Sequence, residues 1–150
     1  VAWNPWVSYS GQNVLDDLVR LLILYQPTIL YLPHPSDSHP DHRAGYQFAH
    51  LALEHARSIE GLNVQLETRC YMVHSFEGMW PDPRGLAQGL RLEILPVFEI
   101  AAPWQSVDLA DWAVEAKLNA LRAHFSQWWT SRRFLASFVR INEVYVPAPG

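Results

Sequence analysis

Cysteine is almost absent from this chain: Cys70 stands alone in 150 residues. A single thiol excludes an intrachain disulfide framework and a zinc site built from cysteines, and it suits the reducing cytoplasm in which this reading places the protein. Basic charge is also scarce. Eleven Lys and Arg against 15 Asp and Glu give a formal net charge of −4, and the longest basic run is the pair Arg132 and Arg133. Nucleic acid is therefore not an expected partner. Long apolar runs are missing too, because the most apolar stretch, 18–33, is broken by Arg20, Gln26 and Pro27. It falls short of the roughly 18 apolar residues a membrane-crossing helix needs, so no transmembrane segment is expected. What is plentiful is apolar surface: 49% of residues are hydrophobic, 13% aromatic and only 17% charged. That excludes disorder and is enough for one ordinary core, so residues 1–150 are read as a single domain.

The polar side chains of Ser10 to Asn13 precede apolar residues at helical spacing, with Asp16 and Asp17 read as first-turn acids, so a helix is expected to reach Tyr25 and stop before Pro27. Thr28 to Leu32 reads as a strand buried on both faces. Pro33, Pro35 and Pro40 then forbid regular structure and make a loop at the strand's carboxyl end, where open α/β sheets bind ligands. A second helix is expected from Asp41 to about Arg57, on the stripe Ala44, Phe48, Leu51 and Ala52, with Leu53 alongside. Asn63 to Val73 alternates as a strand, Ser75 to Gly89 is a long loop, and Leu92 to Ile100 is a strand interrupted at Pro96. Asp108 to Ser126 reads as a helix capped by Asp108, its core stripe Leu109, Trp112, Ala113, Ala116 and Ala120. Thr130 to Val139 and Ile141 to Val146 complete the pattern as helix and strand. Helices alternating with buried strands predict an α/β layer fold.

The chemistry concentrates in Asp37-Ser38-His39-Pro40-Asp41-His42-Arg43, two imidazoles and two carboxylates in a proline-stiffened loop that opens into a helix. Imidazole and carboxylate are ligands that zinc accepts, and a carboxylate beside a histidine fixes its tautomer and raises its basicity. The plainer alternative is that Asp37 or Ser38 caps the helix and the histidines are exposed polar residues. Arg43 suits either a substrate phosphate or an ion pair with Asp37. Trp80 lies in the long loop, where a substrate lid is expected. His74, at a strand end, and His124 read first as structural histidines, and Lys117 as a solvated group.

Pro33-His34-Pro35 followed by Asp37-Ser38-His39-Pro40-Asp41-His42-Arg43-Ala44 resembles the second signature of the PIG-L/LmbE-like de-N-acetylases, zinc-dependent hydrolases of N-acetylglucosaminyl conjugates. The resemblance extends in order through Gln26-Pro27-Thr28-Ile29-Leu30-Tyr31, through Lys117, His124 and Ser126-Gln127, and through Phe134 to Arg140 with Glu143 and Tyr145. It implies a three-layer, Rossmann-like sandwich with a mostly parallel sheet. It also implies Zn2+ as cofactor, His42 as a metal ligand, and His39 held by Asp41 as the group that stabilises the oxyanion or protonates the leaving amine. Arg43 and Trp80 are then the substrate-binding candidates, and an N-acetylglucosaminyl conjugate is the small-molecule partner.

The family's first signature, of the Ala-His-Pro-Asp-Asp-Glu type, supplies the other ligands and the general base, and this sequence does not contain it. The resemblance therefore implies the carboxyl-terminal portion of a deacetylase domain, inactive by itself. Two rival readings stand beside it. A metallo-β-lactamase-like hydrolase would have His at position 37 and would draw further ligands from His74 or His124. A degenerate deacetylase or carbohydrate-binding domain would use aromatic residues such as Trp128 and Trp129, which suit sugar faces or a homo-oligomer contact equally well.

Overall fold

The computed structural model describes residues 6–59, 62, 65–75, 80–82, 85–94 and 103–148. They divide into two compact units, Val1–Met72 with Ala148–Gly150, and Val73–Pro147. The described strands pair both parallel and antiparallel and alternate with helices, so the fold is α/β with mixed pairing. The antiparallel pair departs from the mostly parallel pattern expected.

The first unit runs α1 (Gly11–Tyr25), β1 (Ile29–Pro33), α2 (Pro40–Ser58) and β2 (Glu67–Tyr71). Helix α1 is capped by Ser10, whose hydroxyl accepts from the Asn13 N–H at 3.3 Å, so Asp16 and Asp17 lie past the first turn instead of in it. It ends at Gln26, held at φ 45° with its N–H donating to the Leu22 carbonyl at 3.0 Å. Pro27 cannot continue a helix, and the turn that precedes it satisfies a terminal carbonyl. Val19 and Leu22 of α1 pack on Ala52, Leu53 and Ala56 of α2 and on Leu62 and Leu66, which makes the core of this unit.

Strands β1 and β2 are parallel, in register from Ile29 opposite Glu67 to Pro33 opposite Tyr71. β1 is not buried on both faces: Leu32 is buried, but Ile29 is 39% and Tyr31 47% exposed. Its side chains alternate, and Leu30 joins the α1/α2 core while Ile29 and Tyr31 point the other way. β2 alternates as the sequence indicates, with Leu66, Cys70 and Met72 inward, over a shorter span, Asn63 and Val64 lying outside the described residues.

Burial pushes the Cys70 thiol up to about 11. Because the thiolate is the nucleophile, Cys70 is expected to be inert to an aromatic disulfide reagent at pH 8 in the folded protein and to react within the mixing time once urea unfolds it. Fast labelling without denaturant would contradict the buried placement.

The second unit contains β3 (Gln105–Asp108), α3 (Asp111–Ala123), α4 (Phe125–Ser137) and β4 (Asn142–Pro147). β3 and β4 pair antiparallel, Gln105 opposite Tyr145 through Asp108 opposite Asn142. Asp108 does not cap α3. It ends β3 with its carboxylate on Arg91, and the cap position falls to Ala110. The helix accordingly buries Val114 and Leu118, with Val139, Leu109, Leu121 and Trp128 around them, and turns Trp112 out to 75% exposure. The larger aliphatic side chains decide the inward face over the alanine and tryptophan stripe.

α4 begins five residues before the expected Thr130 and is kinked at Ser131. Lys117, read as solvated, is bound to Glu143 and ties α3 to β4. Of the strand expected over Leu92 to Ile100, residues 92–94 are not strand and 95–100 lie outside the described residues. Leu92 is instead bound on both its polar atoms by the Asn142 side chain, whose Oδ1 accepts from its N–H at 2.6 Å and whose Nδ2 donates to its carbonyl at 3.1 Å. In the expected 75–89 loop the described residues carry no helix or strand, and 76–79 and 83–84 lie outside them.

Candidate metal centre

Because β1 and β2 run parallel, the chain leaves both at the same edge. The His34 N–H donates to the Tyr71 carbonyl at 2.7 Å, which carries the pairing one residue past β1, and the chain leaving Tyr71 reaches His74 three residues later. After β1 the loop folds onto itself. The Asp37 N–H donates to the His34 carbonyl at 2.9 Å, and the Ser36 N–H donates to His34 Nδ1 at 3.1 Å. Burial pushes the His34 imidazole below its ordinary value, with the Asp37 charge opposing.

Asp37 is the fully buried acid at the centre of this loop. Its Oδ1 accepts from the His39 N–H at 2.9 Å, and its Oδ2 lies 3.1 Å from His42 Nδ1. Burial, then the Asp37 carboxylate, then Cys70 push the neighbouring Tyr71 hydroxyl up. Arg43, expected to meet a substrate phosphate or to pair with Asp37, holds the loop backbone instead. One guanidinium nitrogen donates to the carbonyls of Asp37 at 3.1 Å and Ser38 at 2.8 Å. A guanidinium reaching back from the first turn of a helix satisfies carbonyls that the proline-rich loop cannot pair by itself.

His39 is the cap residue of α2, and Pro40 follows in the first turn, where its missing N–H costs nothing. The expected hold of the Asp41 carboxylate on His39 takes another form: the Asp41 backbone N–H donates to His39 Nδ1 at 3.3 Å. With Nδ1 accepting this bond, Nε2 is the ring nitrogen left to donate. The Asp41 side chain is exposed, at the rim of an apolar cavity of about 620 Å³ that α1, β1 and α2 enclose. The rings of His39 and His42 lie 4.9 Å apart, tilted by 41°.

Within the first unit Asp37 and His42 each offer a ligand atom, and the two face each other at 3.1 Å. Nδ1 of His42 and Nδ1 of His74 are both withdrawn from solvent, and the His74 ring lies against Phe134 with centroids 5.3 Å apart. Two donors on one tetrahedral zinc are about 3.3 Å apart, so the 3.1 Å between Asp37 and His42 suits a shared ion. An imidazole and a carboxylate are ligands that a divalent transition metal accepts.

Among the residues singled out from sequence, His42 therefore stands in a ligand group, His39 and Asp41 stand beside it, and Arg43 supports it from behind. Trp80 belongs to the core of the second unit. Its ring is 8% exposed, its Nε1–H donates to the Glu93 carbonyl at 2.8 Å, and it meets Phe138 edge to face at 5.9 Å. A buried indole needs an acceptor for its one donor, and this one is a core residue, not a lid. His124 sits exposed at the junction of α3 and α4. Asp37, read from sequence as one of the two carboxylates of the cluster, as a cap or as the partner of Arg43, is buried against His42. His74, read first as structural and otherwise as a further ligand of the rival hydrolase, stacks on Phe134 in the second unit. Comparison of the chain with protein families, with characterised proteins and with solved structures gives no match.

Proposed function

We propose that this chain carries part of the zinc site of an amide hydrolase that removes acetyl from N-acetylglucosamine-type conjugates, on a Rossmann-like three-layer scaffold, with the remaining part of the active site missing from this chain. The observation that carries the reading is the buried Asp37 carboxylate set against His42 Nδ1 beside the amino end of α2. The order of motifs from Gln26 to Tyr145 supplies the substrate class. When bound, zinc lowers the pKa of a coordinated water and polarises a carbonyl. The protein residues do the rest: Asp37 and His42 would hold the ion, and Arg43 fixes the loop that carries Asp37. His39, with Nδ1 committed to the Asp41 N–H, presents Nε2–H as a donor to a developing oxyanion. The α2 amino terminus adds the partial positive charge of the helix dipole.

The further histidines of the sequence, His74 and His124, leave a second reading, a metallo-β-lactamase-like hydrolase whose ligands all lie in this chain. Both readings require the metal. Titration with Zn2+ at pH 7.5 is expected to show one ion per chain in the wild type and none held tightly in His42→Ala. Equal binding by both proteins would remove His42 from the site and defeat either reading. Release of acetate from an N-acetylglucosaminyl substrate supports the first, and opening of a β-lactam ring supports the second.

A further inference from the structure

The second unit has a charge pattern that the metal site does not use. Residues 116–142 contain no Asp or Glu and hold five of the 11 Lys and Arg residues, in a chain whose net charge is −4. Lys117 is occupied by Glu143, and Arg140 is buried with its Nε donating to the Ser137 carbonyl at 2.6 Å. The remaining three, Arg122, Arg132 and Arg133, are exposed, and among the described residues none of them forms an ion pair. They line a single cavity of about 190 Å³ together with Trp128.

Beside it lies a second depression, of about 550 Å³, lined by Phe125, Trp128, Trp129 and Arg132. Trp128 and Arg132 belong to both, so the two form one continuous surface on α4. Phe125 and Trp129 stand one helical turn apart with ring centroids 6.1 Å from each other, 70% and 76% exposed. Water is a poor solvent for two such rings side by side, and exposed apolar patches of this kind mark interaction sites.

We propose that this face of α4 docks on the surface of an anionic phospholipid bilayer. The ligand chemistry is a phosphate ester. Three exposed arginines in an acid-free tract match phosphate groups by charge. Guanidiniums alone would serve a soluble phosphate equally well. The aromatic half decides for the bilayer, since Trp and Phe rings partition to the headgroup level, where an apolar body and a polar edge are both satisfied. The acid-free tract also turns toward an anionic surface in preference to the rest of the chain, which has six Lys and Arg against all 15 acids. This is attachment to one leaflet. No described helix is long and apolar enough to cross a membrane.

The test is co-sedimentation of the full chain with vesicles. Binding is expected to phosphatidylcholine vesicles containing about 30 mol % phosphatidylserine, with little to phosphatidylcholine alone, and is expected to weaken in 0.5 M salt. Arg132→Gln with Arg133→Gln should weaken it by roughly thirtyfold, the effect of removing two juxtamembrane charges. Both side chains are exposed, so circular dichroism should show the variant folded. Trp129→Ala should weaken binding with the charges intact. Equal binding to neutral vesicles, no loss in either variant, or no binding by the wild type would overturn the proposal. So would full displacement by millimolar glycerophosphoserine, which would assign the cavity to a soluble phosphate ester, or capture by single-stranded RNA with vesicles left unbound.

Discussion

Asp37→Asn is expected to reduce zinc affinity by about 100-fold or more while lowering stability by only about 1–2 kcal/mol. The separation follows from the two oxygens of one buried side chain. Oδ1 accepts the His39 N–H, and an amide oxygen can accept it equally well. Oδ2 faces His42 Nδ1, and there the substitution replaces a negative charge with a neutral group. Asp37→Ala removes both functions and leaves the His39 N–H without its acceptor at the start of α2. Its cost to stability is expected to be about 3 kcal/mol, from the buried donor and the emptied space together. Competition titration against a chromophoric zinc chelator and urea denaturation would measure the two effects. Should Asp37→Asn hold zinc as tightly as the wild type, Asp37 is a structural loop acid and the ligand group is wrong.

Asn142→Ala is expected to cost about 3–4 kcal/mol, the largest stability effect of any single polar side chain in the second unit. Asn142 is 1% exposed and makes three hydrogen bonds, two to the backbone of Leu92 and one, at 2.9 Å, to Ser106 Oγ. Leu92 is itself buried, so water cannot take over for the deleted amide. The truncation therefore strands a donor and an acceptor as well as removing the bonds. Asn142→Asp is a sharper control, because one oxygen still accepts from the Leu92 N–H but the other is driven against the Leu92 carbonyl. Denaturation midpoints, with hydrogen exchange at the Leu92 amide, would report the loss. A change within about 0.5 kcal/mol would mean that this bridge is not made in solution.

The elements legible in the sequence were those set by local chemistry. Ser10 and Pro27 bracket α1, Pro40 opens α2, and β2 shows the two-residue alternation that puts Cys70 inside. The errors came where a distant partner decides. Asp108 looks like a helix cap until β4 pairs with it, and Trp80 looks like a lid residue until Glu93 supplies its acceptor. β1 reads as doubly buried from its apolar run, yet apolar side chains alternate along a strand whatever covers each face. At the site, the cluster of histidines and acids was visible, but the division of labour within it was not. Which of these side chains meet depends on how the loop folds back, and the spacing within 37–43 does not show that Asp37 is buried against His42. His39 illustrates the same limit: the sequence places Asp41 two residues away, and only the backbone conformation shows that the amide, not the carboxylate, meets the ring.

The bridge from Asn142 to Leu92 joins residues 50 apart, and the β3/β4 pairing encloses all of α3 and α4 between its strands. Closing a loop of that length costs roughly 3 kcal/mol of chain entropy before any bond across it is made. α3 and α4, joined through His124 and in contact along the chain, need no such closure. The order of events during folding follows: the helical pair forms early, and the hairpin-like closure with its amide latch forms late. Asn142→Ala should then leave the refolding rate nearly unchanged and express its whole effect as faster unfolding.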